Sequence, residues 1–189
     1  AWSAHAASHY MHCQIESGST CPTTMTKACI PLLRLNPALY GVVAPLLASR
    51  EHDARDLPLA QKTSMAVGMG MTEKQGGSDV RTNTTRAVPH GSGPWGEAFL
   101  LTGHKWFFSA PMCDGHLVLA RTDATDPQGR TMSGPPPEGD KKTWGGPAFS
   151  RGITCFFVPR WRPDGSKNAI HIQRLKDKVG NRSNSSSEV

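Results

Sequence analysis

The stretch GMGMTEKQGGSDVRTNTTRA, residues 68–87, runs from a glycine-spaced apolar segment into hydroxyls, an amide, paired glycines and charges. It reads either as a loop that grips a ligand at the mouth of a strand or as a solvated turn between two strands. Gly76 and Gly77 permit positive φ or close approach of the backbone to a flat ligand, and Thr72, Gln75 and Ser78 supply small donors and acceptors. Two phosphate-binding motifs do not fit. No Gly-Lys-Ser/Thr follows, so this is not a P-loop. The G-x-G at 68–70 has Glu73 where the third glycine of a dinucleotide fingerprint belongs, and no helical pattern follows it.

On the C-terminal side of this stretch the periodicity is that of short strands. They read as 64–71, 80–88, 98–102, 105–109, 116–121, 153–159 and 169–175, separated by the turn signals HGSGPWG, RPDGS and VGNRS. That spacing predicts an antiparallel barrel or sandwich. Between the strands, DPQGRTMSGPPPEGDKKTWGGP is too rich in Pro and Gly to bury a surface of its own, and about 123–150 reads as a flexible insertion.

On the N-terminal side, residues 1–48 read as helices. An Ala- and His-rich helix reaches about residue 16, a second covers roughly 23–35, and a third opens at Asn36-Pro37, where Asn caps and Pro suits the first helical position. SREHDARDLPLAQK, residues 49–62, is a polar connector. The expected fold class is α+β, with a helical segment over 1–61 and an antiparallel β-domain over 62–189.

Composition narrows the setting. The chain has 189 residues, 37% hydrophobic and 19% charged, ordinary for a globular protein, and no apolar run approaches the roughly 20 residues of a membrane span. The N-terminus carries His where a secretory signal needs an apolar core. Five cysteines in no C-x-x-C pair point to a reduced intracellular compartment, hence a cytoplasmic protein. The missing initiator Met and the abrupt end at SNSSSEV point to an excised fragment. A net charge of +6 favours anionic partners. The bases gather late, as Arg160, Arg162, Lys167, Arg174, Lys176, Lys178 and Arg182, against Asp164 and Asp177. A nucleic acid, an acidic ligand or a neighbouring domain could use this stretch. The plainer reading is a solvated strand edge, and no nucleic-acid-binding signature accompanies it.

Other groups carry less. His5, His9 and His12 share a helix face beside Cys13, but no second segment offers metal ligands, so a half-exposed face is expected and no metal site. Glu73 and Asp79 are expected in turn and capping roles rather than as an acid pair.

Taken together, GMGMTEKQGGSDVRTNTTRA, LTGHKWFFSAPMCDGHLVLARTD and GITCFFVPRWRPDGSKNAIHIQRLKDKVGNRSNSSSEV resemble the middle β-domain of the acyl-CoA dehydrogenase family, in that order. The blocks cover most of residues 68–189. The family commonly has TEPGAGSD where this chain has TEKQGGSD, and KxxITN where it has KWFFSAP; both departures resemble the AidB-like branch. The helices before residue 50 look like the end of the family's N-terminal helical domain.

The resemblance implies FAD as cofactor. It implies a flavin site lined by Met69, Gly70, Met71, Thr72, Glu73, Lys74, Gln75, Gly76, Gly77 and Ser78, with Thr72 toward the polar edge of the isoalloxazine and Ser78 also near an acyl-CoA substrate. It implies a second contact at Phe107, Phe108 and Ser109, aromatic against the ring system with a hydroxyl toward N5. The bland alternative for these aromatics is a buried strand face. The activity implied is oxidation of a CH–CH donor such as an acyl-CoA thioester. The catalytic base and the rest of the FAD site would belong to a C-terminal helical bundle, and no catalytic residue is expected here. A homo-oligomer is implied for the full-length protein. For the AidB-like branch, DNA binding through a basic C-terminal region outside this chain is the alternative role.

Overall fold

The computed structural model of the protein describes residues 2–122 and 153–189. The expected insertion at about 123–150 lies outside the described residues.

Four helices come first. Helix α1, Trp2–Ile15, buries none of its residues. Helix α2, Thr20–Ala28, and helix α3, Ile30–Leu33, occupy the segment expected as one helix, with Pro31 opening the second piece. Helix α4, Pro37–Leu47, is capped as its sequence predicts: the Asn36 side chain accepts from the Leu39 N–H at 3.1 Å, and Pro37 takes the first helical position.

The strands are β1 (Val67–Thr72), β2 (Arg86–Gly93), β3 (Gly96–Thr102), β4 (Phe107–Ser109), β5 (Gly115–Thr122), β6 (Ile153–Pro159), β7 (Arg174–Leu175) and β8 (Ser186–Glu188). They form one sheet in the order β3-β2-β5-β1-β4-β8-β7, with β6 on β5. Strand β5 is apolar at most positions and largely buried, the pattern of a strand covered on both faces. Residues 115–121 of it pair with β6, while β1 pairs with its first half and β2 with its end. The β1–β5 and β2–β5 pairings are parallel, so the sheet is mixed rather than purely antiparallel. Alternation along a strand reveals which face is buried, but not the direction of its neighbour.

The strand expected at 169–175 is reduced to β7 at its last two residues, and two further differences have local reasons. Residues 80–85 form a short 3-10 turn and an irregular run instead of the start of a strand, because the Asp79 carboxylate captures the Arg81 N–H at 3.0 Å. The polar end, read as an abrupt stop, contains β8, which pairs with β4 on one side and β7 on the other and is buried throughout.

The helices sit on the sheet through a core of Cys29, Leu33, Leu39, Val43, Leu59, Met65, Val67 and Leu117. The Thr26 hydroxyl fixes the register of that contact, accepting from the Val67 N–H at 3.0 Å. The polar connector is held by a buried cation. Lys62 Nζ lies 2.6 Å from Asp114 Oδ1 and donates to the carbonyls of Asp53 and Arg55, both at 2.8 Å. Replacing Lys62 with Met strands the Asp114 carboxylate, whose other oxygen accepts from the Ala66 N–H, and is expected to cost about 3 kcal/mol. Denaturant unfolding of Lys62→Met against the unaltered protein measures that loss.

Candidate functional site

The loop that follows β1 is built around one side chain. Glu73 is only 3% exposed, and its carboxylate accepts from the N–H and hydroxyl groups of both Thr84 and Thr85, from Gln75 Nε2 at 2.7 Å and from Lys105 Nζ at 2.8 Å. Lys105 is as deeply buried as its partner. Burial alone would raise the Glu73 pKa, but Lys105 and the Thr84 and Thr85 donors outweigh it and hold the group at about 2. Burial pushes the Lys105 ammonium the other way, below its ordinary value, and Glu73 opposes that loss of charge.

This pair joins the loop to the approach of β4. Lys105 also exchanges backbone hydrogen bonds with Val189, and the Trp106 N–H donates to the Thr72 carbonyl at 2.9 Å. Reciprocal Glu73–Gly76 backbone bonds at 3.1 Å close the turn. Asn83, 1% exposed, donates from Nδ2 to the Met71 carbonyl at 2.8 Å, and the buried Arg121 donates to the carbonyls of Asn83 and Arg81. A rigid polar floor therefore underlies residues 72–78.

The β1–β4 pairing sets Thr72 opposite Phe107 and Met69 opposite Ser109. Thr72, Phe107 and Ser109 are half-buried along this edge, and Ser78 is exposed at the end of the loop. Among the described residues, the hydroxyls of Thr72, Ser78 and Ser109 have no hydrogen-bond partner, and neither do the N–H groups of Gly77 and Ser78. Free donors and acceptors beside a half-buried aromatic are the chemistry that the polar edge and flat face of a flavin require.

The other expected site residues take supporting places. Met69 and Met71 pack toward the core, and Phe108 is buried with its ring over Gly70, where a Cβ would lie 2.4 Å from Cδ2. Glu73 spends its carboxylate inside the loop. Gly76 fits close beneath the Asp79 carbonyl, leaving no room for a side chain, and Gln75 reaches back to Glu73 and the Thr82 carbonyl. Lys74 is exposed, its ammonium 5.6 Å from the Trp106 ring centroid. Lys105, Asn83, Thr84, Thr85 and Arg121 were not singled out from sequence; the run of hydroxyls after Asp79 and the lysine just ahead of the aromatics were the available signals. Among the described residues, no group of three or more His, Cys, Asp and Glu gathers to hold a metal, and His12 of the α1 face meets Ser19 Oγ at 3.3 Å. No described helix is long and apolar enough to cross a membrane.

Residues 68–134 match the acyl-CoA dehydrogenase middle domain, and residues 1–54 match the adaptive response protein AidB N-terminal domain. The chain belongs to the acyl-CoA dehydrogenase family, on its AidB-like branch. It is 47% identical over 191 residues to the putative acyl-CoA dehydrogenase AidB of Escherichia coli (strain K12), covering 100% of this chain and 29% of that protein. Among solved structures it is similar to the Bd2924 apo-form, at 33% identity and TM-score 0.64 over 89% of this chain and 28% of that one. It is also similar to Caenorhabditis elegans ACDH-11 in complex with C11-CoA, at 30% identity and TM-score 0.61 over 89% and 24%. The chain thus spans less than a third of the curated relatives it matches.

Glu73 is held at a lowered pKa in the fold, so the stability it contributes is present above the ordinary carboxylate value of 4.5 and is lost as pH falls toward about 2. The loss should approach about 3 kcal/mol. Unfolding free energies of the unaltered protein and Glu73→Gln, measured through that window, should differ in slope, with the variant flatter.

Proposed function

We propose that this chain is the flavin-binding portion of an acyl-CoA dehydrogenase-like flavoprotein, an oxidoreductase acting on CH–CH donors. The observation that carries the reading is the β1–β4 edge, where the unengaged hydroxyls of Thr72 and Ser109 flank the half-buried Phe107 over a floor locked by Glu73 and Lys105. FAD, when bound, would supply hydride acceptance. Thr72 would hydrogen-bond the polar edge of the isoalloxazine, Phe107 would cover its ring system and exclude water, and Ser109 would present its hydroxyl toward N5. Ser78, exposed at the end of the loop, is the group on this chain proposed to meet an acyl-CoA-like substrate. The C11-CoA complex of the similar ACDH-11 structure supports a ligand of that class.

The domain boundary near residue 61, the homo-oligomer and the cytoplasmic location belong to the same proposal. The base that removes the substrate proton is assigned, from the family resemblance, to a C-terminal helical bundle; among the described residues this edge presents hydroxyls and amides. A second reading, a DNA-associated protective flavoprotein with little dehydrogenase turnover, is favoured by the match of residues 1–54 to an adaptive response protein domain. Both readings use the same flavin edge and differ in the anionic partner.

In the gene product containing this chain, Thr72→Val combined with Ser109→Ala should weaken FAD retention about tenfold or more, read by flavin fluorescence on dialysis. Unchanged retention would count against the assigned edge.

A further inference from the structure

His116 is fully buried on β5, and neither Nδ1 nor Nε2 has a hydrogen-bond partner among the described residues. The backbone of Ala110, Val158 and Pro111 lies close enough to the ring to favour its protonated form against burial, but no described group meets either nitrogen in full hydrogen-bonding geometry. A buried imidazole is ordinarily hydrogen-bonded, so an orphaned one calls for a specific account.

Its surroundings supply one. His116 is in register with Gly68 of β1, where a Cβ would fall 2.8 Å from His116 Cδ2, 2.5 Å from the Ser109 carbonyl oxygen and 2.8 Å from that of Ala110. Gly68 and Gly70 thus form a trough with no side chains of its own, into which two rings fit. The His116 and Phe108 rings meet there, with centroids 4.6 Å apart and planes tilted by 45°. Directly above the trough Ala110 is in the left-handed region at φ 54°, which an alanine adopts only against a cost. Side chains alternate across a strand, so whatever fixes Phe108 on this face also fixes Phe107 and Ser109 on the opposite one.

We propose that His116 is a positioning residue for the flavin edge: its neutral ring fills the trough at Gly68, braces Phe108 and the left-handed Ala110, and thereby aims Phe107 and Ser109. This rests on the flavin reading of the β1–β4 edge. The G-x-G at 68–70, which is no dinucleotide fingerprint, acquires a role as the seat of two rings. Burial, reinforced by the positive charge of Arg160, depresses the His116 pKa to about 4, so the ring is neutral near neutrality. Arg160 is the charged group that bears on the ring; Asp114, close by in sequence, is turned to Lys62. Acid that protonates the ring places a charge in the trough with no counterion, and the brace should fail.

The test uses the gene product containing this chain, loaded with FAD. FAD affinity by fluorescence and the visible flavin spectrum are followed from near neutrality down to about pH 4, alongside far-ultraviolet circular dichroism. The unaltered protein should release FAD as pH falls toward about 4 while its secondary structure persists. His116→Phe, which keeps a ring in the trough but cannot be protonated, should retain FAD and lose that acid dependence. His116→Ala should bind FAD about tenfold more weakly at neutral pH, with a displaced flavin absorption band. A Phe variant that releases FAD along the unaltered acid profile, or an Ala variant with unaltered affinity and spectrum, overturns the inference. Should the Ala variant fail to fold, the acid profile of the Phe variant decides. Unaltered protein that binds no FAD overturns the flavin reading and this inference with it, whereas FAD binding that all His116 variants share unchanged overturns this inference alone.

Discussion

A carboxylate and an ammonium, both withdrawn from water and 2.8 Å apart, hold the β1–β4 edge of this chain in shape. Neither Glu73 nor Lys105 could remain charged at such depth without the other and without the ring of hydroxyl and N–H donors that completes the carboxylate. Their energetic contribution to folding is modest once the desolvation of both ions is counted. Their geometric contribution is larger, because the pair determines where the chain re-enters after β1, where β4 begins, and how the three unengaged hydroxyls are spaced.

The rest of the site follows from that anchor and from packing beneath it. Glycines at 68 and 70 let the rings of His116 and Phe108 close on β1 from below, while Met69 and Met71 point into the helical core on the other face. Phe107 and Ser109, which alternate with Phe108, lie on that same methionine face, where Ser109 is paired with Met69 across the two strands. Helices α2 to α4 bear on this sheet through Thr26 and the Val43–Val67–Leu117 core, so their docking stiffens the strand from which the loop springs. A site built on strand ends and braced on both faces keeps its shape better than one carried by a free loop.

Much of this was legible in the sequence, and the exceptions have physical causes. The succession of strands β1 to β6 along the chain, the Asn36 cap and the β2–β3 hairpin at Gly96, with φ 110°, follow from local signals in their own residues. The parallel pairing of β1 with β5 does not, since it depends on a partner more than 40 positions away. The polar strand β8 was hidden because Ser186, Ser187 and Glu188 are buried by neighbours on both edges, and by Arg174 and Lys176 on the Glu188 carboxylate. Thr72 and Ser109 were named from a resemblance to a family, and the structure finds both unengaged on one edge. Glu73 was expected in a turn; that it is the hub of the loop required Thr84, Thr85 and Lys105 to be seen around it. Nothing local to His116 distinguishes it from a surface histidine.

The central claim is that the Glu73–Lys105 pair sets the proposed flavin edge. It is tested most directly by titrating FAD into the gene product containing this chain and into its Glu73→Gln form, at a temperature where circular dichroism reports both as folded. A loss of FAD affinity of about tenfold or more in the variant is the predicted result, because the loop that carries Thr72 and Ser78 would lose its anchor. Equal affinity in two folded proteins would contradict it.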